Sequence, residues 1–139
     1  MSQLANYAEE ALLNHLLRGD QGGTAISQPS TYLALFTADP GETGDLSDEV
    51  GAADYGREGV ISFDAPTQTG GAGEVVNSNK ISFGQATNNW GTITHVAIMD
   101  STVGGSDNML VYGALDSSKQ IQSGDTFEIA AGSLTVTLD

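Results

Sequence analysis

The stretch from Asn89 to Asp100 (Asn-Trp-Gly-Thr-Ile-Thr-His-Val-Ala-Ile-Met-Asp) constrains the fold more than any other part of the chain. Between Thr92 and Met99, Thr92, Ile93, Thr94, Val96 and Ile98 crowd together with no glycine or proline between them. Branching at Cβ restricts χ1 against the preceding turn of a helix and suits a pleated surface, so the run predicts a central strand. Trp90, the only tryptophan, stands at the strand's entrance as the expected anchor of the core, and Gly91 lets the chain turn in. Ser101 to Asn108 has the composition of a turn, and Met109 to Leu115 returns as a second apolar run, which together predict a hairpin.

Other strands are expected around this hairpin. Thr31 to Ala38 is apolar at successive positions, as a strand covered on both faces requires, and is expected beside the central one. Gly59 to Asp64 and Lys80 to Gly84 share the tripeptide Ile-Ser-Phe at 61–63 and 81–83, and the two are expected to pair. Pro66 to Asn79 reads as a glycine-rich turn region with a brief edge strand at Glu74 to Val76. Gln120 to Gly124 leads to a strand at Thr126 to Ala130, and Ser133 to Asp139 alternates with Leu134, Val136 and Leu138 on one face. Seven or eight short strands joined by glycine turns predict a mainly β protein, an antiparallel β-sandwich or jelly-roll-like domain over residues 31–139.

Residues 1–30 differ in character. Leu4, Ala8, Ala11, Leu12, Leu13, Leu16 and Leu17 recur at helical spacing, with Ser2 placed to cap the helix and Gly19 to stop it; a linker with Gly22, Gly23 and Pro29 follows. A single N-terminal α-helix in front of a β domain either closes an open end of the sandwich or docks on a neighbouring chain. The second use makes Leu12, Leu13, Leu16 and Leu17 interface candidates.

Charge excludes several function classes. Four Lys and Arg stand against eighteen Asp and Glu, a formal net charge of −14, and such a surface repels nucleic acid and anionic lipid. No run approaches the roughly twenty apolar residues of a membrane span, and Glu9 and Glu10 interrupt any secretory h-region, so synthesis and assembly in the cytoplasm are expected. The absence of cysteine removes thiolate ligands and nucleophiles.

Chemistry-bearing residues are correspondingly few. His15 and His95 come without a second ligand at metal spacing, and no nucleophile elbow, phosphate loop or dinucleotide fingerprint occurs. Asp39, Glu42, Asp45, Asp48 and Glu49 crowd one long loop, but without the alternation of a calcium loop they read as a solvated acidic segment. No cofactor, metal or catalytic set is expected. Arg57, flanked by Asp54 and Glu58, has two readings: an internal salt bridge pinning the loop to the next strand, or a basic spot at an interface.

Several blocks, in order, resemble a family of small virion proteins of tailed bacteriophages, the phage tail fibre and minor tail proteins. They are Thr31 to Pro40, Tyr55-Gly56-Arg57, Ile81-Ser82-Phe83 with Ala86-Thr87, Trp90 to Val96, Leu110 to Leu115, Gly124-Asp125 and Ala131 to Leu138. The resemblance implies a non-enzymatic structural protein located in the virion and working through contacts with other virion proteins; on that reading a homo-oligomer formed through the leucine-bearing helix or an edge strand is expected. A tail- or fibre-associated minor subunit comes first, and a capsid cement or decoration protein is the alternative. A host-glycan-binding module, with Tyr55 or Trp90 as a stacking platform, is a further alternative that requires Trp90 to be exposed.

Overall fold

The computed structural model describes residues 2–23, 26–102 and 107–138. It is a mainly β fold of antiparallel sheets with one α-helix, as expected. Its centre is a five-stranded sheet built from β1 (Ser2–Leu4), β2 (Tyr32–Phe36), β3 (Glu58–Gly59), β7 (Gly91–Met99) and β8 (Met109–Ile121), in the order β1-β8-β7-β2-β3. The β-branched strand β7 is therefore the middle one, with Leu33 opposite Ile98 on one side and Val111 opposite Ile98 on the other. Gly91 at its entrance has φ +89°, a left-handed conformation that a side chain would strain.

Two smaller sheets complete the fold. β4 (Thr67–Thr69), β5 (Ala72–Val76) and β10 (Thr135–Leu138) form one in the order β10-β5-β4, and β6 (Ile81–Gln85) pairs with β9 (Thr126–Ile129) in the other. Alternation along β2 separates two cores. Leu33 and Leu35 join Ile93, Val96, Ile98, Ile81, Trp90 and Phe127 in the larger core between the sheets. Ala34 and Phe36 point the other way, where Ala97, Met99, Met109 and Tyr112 are closed over by Ala5 and by Leu46 of the long acidic loop. That double burial is what the unbroken apolar run predicted.

Several local expectations are corrected. Ser2 does not cap the helix: Ser2–Leu4 pairs with Val111–Gly113, and the helix α1 (Asn6–Leu17) starts after Ala5 without a side-chain cap. A buried backbone must satisfy its amides, and three residues joining the β8 edge do so better than a free helical turn. The Ser2 hydroxyl instead accepts the Thr137 amide at 3.0 Å. The segment 1–30 is thus tied to the 31–139 domain at its start. The two Ile-Ser-Phe tripeptides do not pair; Phe63 bridges Asn77, and β6 pairs with β9. Ile61 and Ile81 meet only as side chains in the larger core. The strand expected from Gly59 to Asp64 shrinks to Glu58–Gly59. At Gly59 a Cβ would lie 2.5 Å from the Tyr32 ring, so the crossing depends on glycine. β5, expected at an edge, is the middle strand of its sheet. Residues 103–106, in the expected turn between β7 and β8, lie outside the described residues.

Candidate functional site

Helix α1 forms because Leu12, Leu13, Leu16 and Leu17 recur at three- and four-residue spacing among good helix formers. None of its residues is buried. It starts against the main sheet through Ala5, whose amide donates to the Leu110 carbonyl at 3.0 Å, and through Asn6, whose amide donates to the Glu42 carbonyl at 2.9 Å. Ala8, Ala11 and Leu12 are half-buried, whereas Leu13, Leu16 and Leu17 are 58%, 65% and 70% exposed. Only Leu12 of the four leucines is partly covered by the fold. Spacing of three and four residues puts Leu13, Leu16 and Leu17 on one ridge, with Glu9 one turn before Leu13 on the same face. After the helix and the 3-10 turn Gly19–Gln21, His15 Nδ1 accepts the Ile26 amide at 3.1 Å, holding the linker against α1.

The other two candidates lie inside. Arg57 is 4% exposed and forms a forked pair with Glu49, Nε to Oε1 and Nη2 to Oε2 both at 2.8 Å. Its Nη2 also reaches Asp107 Oδ2 at 2.9 Å, and Nη1 donates to the Ser101 carbonyl at 2.9 Å. Two carboxylates beside the guanidinium hold its pKa above the ordinary arginine value. Arg57 therefore presents no basic spot to solvent. It clamps the acidic loop to the β7–β8 turn, and its ionic partners are Glu49 and Asp107, not the adjacent Asp54 and Glu58.

Trp90 is 5% exposed in the larger core. Its ring meets Tyr55 edge-on at 5.5 Å and Phe83 at 6.2 Å, and Tyr55 stacks on Phe83 at 6.1 Å. The Tyr55 hydroxyl accepts the Leu35 amide and donates to Glu49 Oε1, each at 3.0 Å, and burial raises its pKa. A stacking platform for sugar rings needs exposed faces; here Trp90 is buried and Tyr55 is stacked on Phe83.

Asp54 escaped the sequence reading as more than a flank of Arg57. It accepts hydrogen bonds from the Thr87 and Asn88 amides, the Thr87 hydroxyl, the Asn88 side chain and the Trp90 indole at 3.1 Å. The Thr87 amide above all, opposed by desolvation and helped by the Asn88 and Trp90 donors, holds its carboxyl far below the usual carboxylate range. The partners are 33 to 36 residues away in sequence, so no local signal marks the contact. Asn77, 1% exposed, is a second such hub. It donates to the Asn79 and Ala130 carbonyls and accepts the Leu134 amide.

Among the described residues no three His, Asp or Glu side chains are grouped to hold a metal ion. Asp39 and Asp45 of the acidic loop accept the Gly41 and Ser47 amides of their own turns. His95 lies 2.8 Å from the Thr94 hydroxyl and 3.9 Å from Asp39. Among the described residues no helix is long and apolar enough to cross a membrane.

Arg57 and Asn77 are thus hydrogen-bonded inside the fold, Asp54 ties its loop to residues 87–90 at the surface, and the leucine ridge stands uncovered outside. Residues 3–137 match the family described as podophage GP4 fiber I protein gp80. The chain belongs to this phage fibre protein family. The match spans β1 to β10 and α1, so the exposed ridge lies within the family region of the chain. No curated protein matches the chain. Membership in a phage fibre family gives the chain a place in the virion, among other virion proteins, and a structural role in the tail fibre.

Proposed function

We propose that this fibre-family protein is a non-enzymatic minor subunit of the tail fibre, assembled in the host cytoplasm, that self-associates and acts through protein–protein contacts. The observation that carries the reading is the ridge Leu13, Leu16 and Leu17, more than half exposed on a helix tied to the sheet and the acidic loop by the Ala5 and Asn6 amides at its start. Fully burying one leucine contributes about 1.5–3 kcal/mol, so covering the exposed parts of these three contributes about 3–6 kcal/mol. Association costs roughly 4–15 kcal/mol in lost freedom of motion, so the ridge alone sustains weak contacts at best and needs a complementary surface to be stable. Leu12, half-buried, supports the ridge from behind.

Purified particles of the source phage, separated into tail and capsid fractions and quantified by mass spectrometry, test the reading. A few to a few dozen copies travelling with the tail are expected. Hundreds of copies travelling with the capsid would make the protein a decoration subunit. Absence from both fractions would overturn the virion role.

A further inference from the structure

A groove opens on the larger core between β8 on one wall and β9 with the start of β10 on the other. Its cavity is about 510 Å³, and its floor and walls include Val96, Val111, Leu115, Phe127, Ile129 and Leu134. The size falls among pockets of roughly 300–1,000 Å³ that enclose a drug-sized body. The groove exists because β8 is bulged. Ile93 faces Lys119 and His95 faces Ala114, so Leu115 to Ser118 all oppose Thr94 alone. Extra residues on one strand bend it and break its pairing, here along one wall of the groove.

We infer that this groove receives the Leu13–Leu16–Leu17 ridge of a second copy of the chain, in a head-to-tail contact. The inference rests on the self-association proposed above and names the partner surface. The shapes match: the ridge is convex and apolar, and the groove is concave with an apolar floor. Within one chain they cannot meet as folded. β1 runs from beside Gly113 at Ser2 to beside Val111 at Leu4, delivering α1 to the Met109 end of β8, whereas the groove extends toward Lys119.

Charge gives the same pairing. Copies of a chain with net charge −14 repel each other, so a stable contact needs a cation where it meets an acid. Of the four cations, Arg57 is enclosed by two carboxylates, Lys80 pairs with Glu128, and Arg18 binds the helix's own Asn14. The groove's lining carries Asp116, Glu128, which is held by Lys80, and Lys119, which lies 5.9 Å above the Phe127 ring and makes no ion pair among the described residues, so Lys119 is the cation left for an acid of the second copy. Glu9 supplies the acid on the ridge face of α1. A heterologous contact of this kind closes to a ring or extends as a filament.

Two variants of the full chain separate the halves of the contact. Leu13→Ser with Leu16→Ser and Leu17→Ser removes the ridge and leaves the groove. Ser133→Trp fills the groove at an exposed residue of the wall beside β10 and leaves the ridge. Masses are read by light scattering, with circular dichroism confirming the β fold. The wild type is expected to self-associate and each variant to be monomeric. An equimolar mixture of ridge-less and groove-filled chains should form a one-to-one dimer, doubling the mass, because one good ridge and one good groove remain. A groove-filled variant that associates like the wild type would overturn the groove as receptor while α1 remained the contact. A mixture that stays monomeric would overturn the head-to-tail pairing. A monomeric wild type, or a ridge-less variant that still associates, would overturn the self-association through α1 on which the inference rests.

Discussion

Replacing Arg57 with leucine removes the cation from a cluster whose side chains are 4% exposed at Arg57, 6% at Asp107 and 14% at Glu49. The two carboxylates stay behind with no counter-ion. Breaking a buried ion pair from one side typically costs about 3–5 kcal/mol, because the remaining charge is uncompensated, whatever the intact pair was worth. Unfolding entropy near 2.1 cal/mol/K per residue over 139 residues converts this loss to a fall in Tm of about 10–17 °C. Differential scanning calorimetry of the monomeric ridge-less background measures it without interference from association. Lys80→Ala is the control: its pair with Glu128 spans 3.3 Å between side chains 59% and 43% exposed, and such pairs contribute about 0–1 kcal/mol. Arg57→Lys keeps the charge but loses the forked geometry and should fall between the two. A Tm for Arg57→Leu within about 2 °C of the parent would show that the buried carboxylates tolerate loss of their cation, contrary to the cost expected from their burial.

Asn77→Ala should destabilise by about 1–3 kcal/mol for each buried group it leaves unpaired, and the Leu134 amide should exchange faster with solvent deuterium; unchanged exchange at Leu134 would contradict the hub. Asp54 predicts an acid-sensitive component of stability. Its folded pKa is depressed, so the contribution is complete above the ordinary 3.8, declines as pH falls below it, and is gone below the depressed folded value. The advantage of the wild type over Asp54→Asn, read from urea unfolding by Trp90 fluorescence, should therefore be constant from pH 7 to 5 and shrink toward pH 2. A gap that stays constant down to pH 2 would rule this out.

What the sequence disclosed depended on whether the signal was local. β7 was legible because its β-branched run has no competing period, and β2 because only a strand covered twice is apolar at successive positions. The extension of β8 through Asp116, Ser117, Ser118 and Lys119 was not, since polar residues there line an open edge and carry no alternation. Pairing was less visible than strand identity. Two identical tripeptides say nothing of register, and Ile81 found its partner in Ile129, far along the chain. The leucine stripe of α1 announced an apolar ridge, but periodicity cannot say what covers it; that required seeing Leu13, Leu16 and Leu17 outside. Arg57 was singled out for its rarity, yet its ionic partners, Glu49 and Asp107, lie 8 and 50 residues away. Tertiary placement decided between the clamp and the exposed basic spot.

If α1 is the contact by which this fibre-family protein enters its assembly, as proposed, its amides must be shielded there. Hydrogen–deuterium exchange of Ala11 to Leu17, compared between the ridge-less monomer, the free wild-type chain and purified tails, tests it most directly. Covering the ridge should slow exchange of these amides many-fold in the tail relative to the monomer, with the β7 amides unchanged. Equal exchange of α1 in the monomer and the assembled tail would contradict the claim.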